Sequence, residues 1–215
     1  MISSKKELRF FISADRLMAG KPIKKGWKEW VLDIIYPNYI LGYLRSMRYV
    51  AYFLNTEKKG ASAIRYFYHK WNFQRLGVKL GFSIGPNTFG YGLVVPHYGT
   101  IVVNGGTRAG KYCVLHTSTC IGGAGNVIGN ALYLASGATI MGPNVTLDDN
   151  VSIATNSMVN KSFSEPNILL AGTPASIKAT ALPWYERDGS EFMKRVTTVE
   201  RLREEMKITT RSLLK

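Results

Sequence analysis

The sequence predicts a mainly-β fold: a parallel β-helix of hexapeptide repeats, with an N-terminal helical region and a C-terminal helix. Three observations carry this expectation. Helical periodicity and most of the charge disappear between residues 78 and 179. Within that stretch aliphatic residues recur at every sixth position: Val103, Ala109, Leu115 and Ile121, then Ile128, Leu134 and Ile140, then Leu147, Ile153 and Val159. Small residues follow many of them, at Gly110, Gly122, Gly129, Ala135 and Ala154. A helix needs a period of about 3.6 and a half-buried strand a period of about two. A period of six fits one short strand plus one corner of a triangular coil, the aliphatic pointing inward and the small residue letting the chain turn. Three hexapeptides, roughly 18 residues, then close one coil. The register slips by one residue between Ile121 and Ile128, and again between Ile140 and Leu147.

The flanks are helical. In residues 1–77, Ser4-Lys5-Lys6-Glu7 fits a capping box and Gly20 a stop, with Leu8, Phe11, Ile12 and Leu17 roughly on one face. A short helix is expected from Trp27 to Ile35, ending before Pro37. Asn38 can cap a third, with Leu41, Leu44 and Met47 inside. A fourth, from about Ser62 to Leu76, is expected to stop at Gly77 and to use Ile64, Phe67, Tyr68 and Trp71 as its apolar residues. Within residues 180–215, Pro183 breaks the last strand. Phe192, Val196, Val199, Leu202 and Met206 then mark an amphipathic helix for its own β-helix or a neighbour's.

The 215 residues carry 28 Lys and Arg against 14 Asp and Glu, a net charge of +14. That excess concentrates anions at the surface, but it is spread over residues 1–80 and 187–215. A solvated basic helical surface explains it without nucleic acid. Cys113 and Cys120 fit no disulfide framework and no metal pair, and are expected as small core residues in a reducing compartment. The N-terminus lacks an apolar signal region, and no stretch reaches the roughly 20 apolar residues that span a bilayer. A cytoplasmic location without a membrane span is expected.

A β-helix specifies no reaction by itself, so the titratable residues must. The repeat region has two histidines, His97 and His116, 19 residues apart and so on similar flanks of adjacent coils. An imidazole titrates near neutrality and suits a general base for a hydroxyl. The competing reading is a corner histidine bonded to backbone. His69, in the fourth helix, reads as structural or surface.

These residues and their surroundings resemble the hexapeptide-repeat acyltransferases, in the serine acetyltransferase-like branch. HYGTIVVNGGTRAG resembles the segment that holds the family's catalytic histidine. IMGPNVTLDDNVSIATNSMVNKSF resembles its last coils, and LLAGTPASIKA its closing loop near bound CoA. The resemblance implies a left-handed winding, acetyl-CoA as cosubstrate without a metal, a homotrimer with sites between subunits, and His97 as the base. It divides the chain into a helical region (1–77), a β-helix acyltransferase domain (78–179) and a tail (180–215). SADR, around Asp15, resembles the piece that supplies an acidic acceptor-binding residue, and Tyr98 beside His97 falls on the acceptor side. Gly122 and Gly123 are candidates for the oxyanion. Ala135, Ser136, Ala154 and Thr155 are small enough to admit pantetheine, and Lys161 and Gly172 could meet the nucleotide end.

The departures concern the acceptor. Serine-specific members have an Asp directly before the catalytic histidine; here it is Pro96. They carry an Arg-His pair in a longer loop after Gly-Gly; here Gly122-Gly123-Ala124-Gly125-Asn126 runs straight into Val127. Ser83 stands where an orienting carboxylate is expected. The sequence instead resembles members that acetylate sugar hydroxyls of surface polysaccharides. Serine acetylation is the alternative acceptor reading. A zinc β-helix of the carbonic anhydrase type lacks a third histidine ligand. A non-catalytic basic scaffold would use ASAIRYFYHKWNFQR and LRSMRYVAYF, whose aromatics and basic residues are equally expected where snorkelling cations flank packed helices.

Overall fold

The computed structural model describes residues 1–23, 26, 27, 31, 35–56, 60–187 and 189–209. The helix expected over residues 27–35 lies largely outside them. The chain begins with α1 (Lys5–Met18). Ser4 Oγ accepts from the Glu7 amide at 3.1 Å, and the Glu7 carboxylate accepts from the Ser4 amide at 3.1 Å, the reciprocal pair that satisfies two end donors. Asn38 starts α2 (Tyr39–Leu54) by accepting from the Leu41 amide at 3.0 Å.

The next helix, α3 (Ala61–Leu80), differs from expectation twice. It runs through Gly77, because a hydrogen-only side chain lets the helix pass close to the Phe82 carbonyl; it ends at Gly81. It also turns the other way round. His69, Leu76, Gly77 and Leu80 are buried, while Ile64, Phe67, Tyr68 and Trp71 are exposed at 74, 65, 59 and 58%. His69 is a packing residue, stacked on Tyr49 with ring centroids 3.8 Å apart.

The chain then winds into a left-handed parallel β-helix. The first side stacks β1 (Phe82–Ile84), β2 (Ile101–Val103), β5 (Thr119–Gly122), β8 (Thr139–Met141) and β11 (Met158–Val159). The second stacks β3 (Arg108–Ala109), β6 (Val127–Ile128) and β9 (Thr146–Leu147). The third stacks β4 (Val114–Leu115), β7 (Tyr133–Leu134), β10 (Ser152–Ile153) and β12 (Ile168–Gly172), and β13 (Ala175–Thr180) closes it by pairing antiparallel with β12. The repeated aliphatics form inward columns: Val103, Ile121, Ile140 and Val159 on the first side, Ala109, Ile128 and Leu147 on the second, Leu115, Leu134 and Ile153 on the third, all nearly inaccessible. Each large one contributes about 1.5–3 kcal/mol by leaving water.

Most coils are longer than three hexapeptides. Strand partners such as Arg108 and Val127, or Cys120 and Thr139, are 19 positions apart. The extra residue sits where the first side turns into the second, at residues 122–126 and 141–145, which is where the register slips. The turning residues also differ from those expected. Left-handed φ occurs three residues after the aliphatic, at Tyr112, Ser118, Ala131, Asn150 and Asn156. The small residue directly after it serves coil-to-coil contact instead: a Cβ at Gly129 would lie 2.6 Å from the Asp148 carbonyl carbon.

Helices cover the apolar end and one corner of the prism. Tyr43, Leu44 and Met47 of α2, with Leu76 and Leu80 of α3, pack on Phe82 and Ile84. α1 and the C-terminal helices α4 (Trp184–Arg187) and α5 (Ser190–Glu205) cover the corner between second and third sides, around Tyr91, Tyr112 and Ala131. So α5 packs on its own chain. Its Glu200 accepts from Tyr91 Oη at 3.0 Å, Tyr112 Oη at 2.8 Å, Lys111 Nζ at 2.7 Å and Arg203 Nε at 2.6 Å. Burial pushes this carboxyl up, but the hydrogen bonds from Lys111, Tyr112 and Arg203 outweigh it and hold the pKa at about 2, below the ordinary 4.5. The stabilisation is therefore complete above about pH 4.5 and lost as the pH falls toward 2. Glu200→Gln lowers stability at neutral pH by about 2 kcal/mol, roughly 4–8 °C in Tm. The difference from the parent shrinks below pH 4, which thermal melts across pH would check.

Candidate active site

The corner between third and first sides, called the front ridge below, is left open by the helices. It carries residues 97–100, 116–118, 135–137 and 154–157 in successive coils, with Gly172 beside the last. The strand registers align them: Leu115 pairs with Leu134 and Leu134 with Ile153, so His116, Ala135 and Ala154 follow one another in a column. His97 lies on the same ridge in the coil before, in the turn between the Val94–Val114 bridge and the Ile101–Thr119 pair. Gly99, at φ +132°, lets this turn sit against Thr117, whose Oγ1 occupies the place of a Cβ. Gly172 reaches the ridge through its amide, 3.0 Å from Ser157 Oγ.

His97 and Tyr98 are exposed, Tyr98 at 75%. No hydrogen bond or ion pair holds the His97 ring among the described residues, which leaves both ring nitrogens available to a substrate. His116 is half-buried and its ring lies against Tyr133, centroids 5.0 Å apart. The two histidines thus share a ridge but not an environment. Apart from His97, His116 and the Tyr98 phenol, the ridge contains no ionisable side chain: its other residues are Pro96, Gly99 and Thr100, then Thr117 and Ser118, then Ala135, Ser136 and Gly137, then Ala154, Thr155, Asn156 and Ser157.

Several expected site residues fall elsewhere. Asp15 is 2% exposed, and its carboxylate is spent. Oδ2 accepts from Arg48 Nε at 2.8 Å, and Oδ1 accepts from Arg48 Nη2 and the amides of Gly92 and Leu93 at 3.1, 2.9 and 3.0 Å. It joins α1 to α2 and the first coil through these four hydrogen bonds. Asp15 thus holds a structural ion pair that the acceptor-binding expectation did not include. Ser83 points outward from β1 beside Val102, without a hydrogen bond to His97. Gly122, Gly123 and Lys161 sit at the other end of the first side, where it turns into the second. The width of the first side separates them from His97, so their amides cannot serve an oxyanion at His97 of the same chain. Gly123, at φ +80°, is needed for the turn: a Cβ there would overlap the Gly142 carbonyl oxygen.

The cysteines divide. Cys113 is fully buried, and burial pushes its thiol up to about 12, so it is no nucleophile at neutral pH. Cys120 is not a core residue as expected; it faces outward, half-buried between Val102 and Thr139. The feature missed in the sequence is Arg48, whose guanidinium is 1% exposed and also donates to the Phe89 and Gly90 carbonyls at 2.7 Å each. A helical arginine among Tyr and Met gives no hint of burial until its carboxylate partner is placed.

The three-sided coil, the helical cap and the ridge have the architecture of the hexapeptide-repeat transferases. Among solved structures, the chain is similar to the serine acetyltransferase of Neisseria gonorrhoeae, with 20% identity, TM-score 0.57, and coverage of 81% of this chain and 68% of that one. It is similar as well to a Brucella melitensis hexapeptide-repeat serine O-acetyltransferase, at 21% identity, TM-score 0.58, and 81 and 69% coverage. A serine acetyltransferase in complex with CoA matches at 18% identity, TM-score 0.57, and 79 and 68% coverage. No protein-family model and no curated protein sequence matches the chain.

Proposed function

We propose that the protein is an acetyl-CoA-dependent O-acetyltransferase in which His97 is the general base and the acceptor is a sugar hydroxyl of a surface polysaccharide or its precursor. The observation that carries the acceptor class is that the front ridge holds no carboxylate to meet an amino acid's ammonium. An amino acid brings an ammonium and a carboxylate, and leaving either unmatched costs several-fold in binding. A sugar needs only hydrogen bonds, and Tyr98, Thr117, Ser136, Thr155 and Asn156 offer them. The acetyl-CoA reading draws support from the similar solved structures, one of which holds CoA.

His97 takes the proton of the acceptor hydroxyl as the oxygen attacks the thioester carbon of acetyl-CoA. The tetrahedral adduct collapses with cleavage of the carbon–sulfur bond. The departing thiolate takes the proton back from His97, giving the acetyl ester and CoA with the imidazole unchanged. No protein nucleophile is required, which agrees with the high pKa of Cys113. The groove beside Ala135, Ser136, Ala154 and Thr155 is walled by short side chains and would admit the pantetheine arm. Among the described residues no helix covers the outer face of the first side, which exposes Val102 at 40% and Met141 at 47%. Packing three such flanks together would complete the site. It would bring Gly122, Gly123 and Lys161 of one subunit toward the ridge of another, which supports a homotrimer.

The second reading, L-serine as acceptor, is favoured by the similar structures, which are serine acetyltransferases by name, the Neisseria gonorrhoeae enzyme also in complex with serine. CoA release from acetyl-CoA, followed with a thiol reagent, separates the two. Saturable release with nucleotide sugars or glycan fragments and none with L-serine is the expected result. Serine-dependent release alone would overturn the glycan acceptor and keep the base and cosubstrate.

A further inference from the structure

The helix α3 presents its apolar residues to solvent. On its outward arc lie Ile64, Phe67, Tyr68, Trp71 and Val78, exposed at 74, 65, 59, 58 and 88%. The first four fall at i, i+3, i+4 and i+7, a stripe over two turns, and Val78 resumes the same arc at i+14, beyond Gln74 and Arg75. A globular surface helix puts such a stripe inward, and an exposed one of this length marks a contact surface. Its borders are basic. Arg65, Lys70, Arg75 and Lys79 belong to the helix, which contains no Asp or Glu. Arg75 lies 4.9 Å from the Trp71 ring centroid and Lys79 3.5 Å from that of Tyr39, so the cations reach out over aromatic bodies as snorkelling side chains do.

A cleft of about 480 Å³ opens beside the stripe, between α2 and α3, lined by Arg45, Ser46, Arg65, His69 and Asn72 among others. No carboxylate pairs with Arg45 or Arg65 among the described residues. Burial first, then the charges of Arg45 and Arg65, lower the His69 pKa to about 4, so the cleft's positive charge at neutral pH comes from the arginines. The Nδ1 of His69 is buried without a hydrogen-bond partner.

The occupant must accept aromatic and aliphatic side chains and also supply negative charge. A second copy of α3 would set like charges against each other. Nucleic acid would meet the cations but leave Ile64 and Val78 against phosphate and water. We propose that α3 is an interfacial helix that seats the protein on an anionic lipid bilayer, its stripe entering the headgroup region and the Arg45–Arg65 cleft receiving a lipid phosphate. No described helix is long and apolar enough to cross a membrane, which agrees with a helix lying on the surface. The inference does not depend on the acetyl-transfer reading.

The test is co-sedimentation of the full chain with vesicles of phosphatidylcholine alone, and of phosphatidylcholine mixed with phosphatidylglycerol. Binding is expected on the mixed vesicles, at least tenfold weaker on the neutral ones, and reduced by salt. Phe67→Ser/Trp71→Ser should weaken it at least tenfold. Arg45→Gln/Arg65→Gln should weaken it by about fivefold per charge removed on mixed vesicles only. All four side chains lie outside the described cores, so circular dichroism melts should match the parent's. Equal binding to both vesicle types, binding to neither, or binding unchanged in both variants would overturn the proposal. So would light scattering in which Phe67→Ser/Trp71→Ser dissolves an oligomer while the parent ignores vesicles; that result assigns the stripe to a second copy.

Discussion

Replacing His97 with alanine lowers the rate of acetyl transfer by about 10²–10⁴-fold, the usual worth of a positioned general base. The fall is expected in kcat, since the groove proposed for acetyl-CoA does not include the imidazole. Melting temperature stays within a degree or so of the parent, because the ring is exposed and no described residue bonds to it. His116→Ala behaves differently. It removes a half-buried ring that packs on Tyr133, so about 1 kcal/mol of stability goes with it and the activity loss is smaller. Single-turnover kinetics with a competent acceptor, beside thermal melts of both variants, checks the pair. A His97→Ala enzyme with full activity removes the base from His97. A His116→Ala enzyme with the larger loss in kcat moves the base to His116.

Arg48→Met is expected to be the most damaging single change to stability, costing about 3–5 kcal/mol, roughly 10 °C or more in Tm. The methionine fills much of the volume but leaves the Asp15 carboxylate buried without its counterion, and the Phe89 and Gly90 carbonyls without their donors. Asp15→Asn is milder. Its carbonyl oxygen can still accept from the Gly92 and Leu93 amides, and Arg48 keeps its two carbonyls. Measured where both proteins are folded, Asp15→Asn leaves KM for the acceptor unchanged. A raised acceptor KM at unchanged stability would return Asp15 to the binding site.

Much of the β-helix was legible in the sequence because its rule is local. Each inward aliphatic declares itself by spacing, and Val103, Ile121, Ile140 and Val159 needed no knowledge of their neighbours to be placed inside. Ser4 and Asn38 were legible as caps for the same reason: their bonds reach only three residues along. Long-range pairings were not. Asp15 reads, by resemblance, as an acceptor-binding acid, and its partner Arg48 arrives only from 33 positions away. The orientation of α3 was misjudged because its most apolar residues share one arc, and an arc alone does not say whether protein or something else faces it. The candidate base could be narrowed to two histidines by elimination, since the repeats hold no others. What could not be read was that Gly122, Gly123 and Lys161 stand a full prism side away from them. Spacing fixes the column a residue joins but not which corner of a neighbouring subunit it will meet.

The closing hairpin of β12 and β13 has a meaning beyond shape. A stack of parallel strands ends in an unused row of amide donors and carbonyl acceptors, which matches the first strand of another copy and invites growth into a fibre. Here the chain reverses after Gly172 and lays β13 antiparallel over that row. Its residues after Ala175 are exposed and include Lys178. An incoming parallel strand finds the wrong polarity and a charge. At the opposite end α2 and α3 cover the first coil. A repeat that could in principle lengthen without limit is thereby held to a finite count, and the protein remains a discrete particle rather than a polymer.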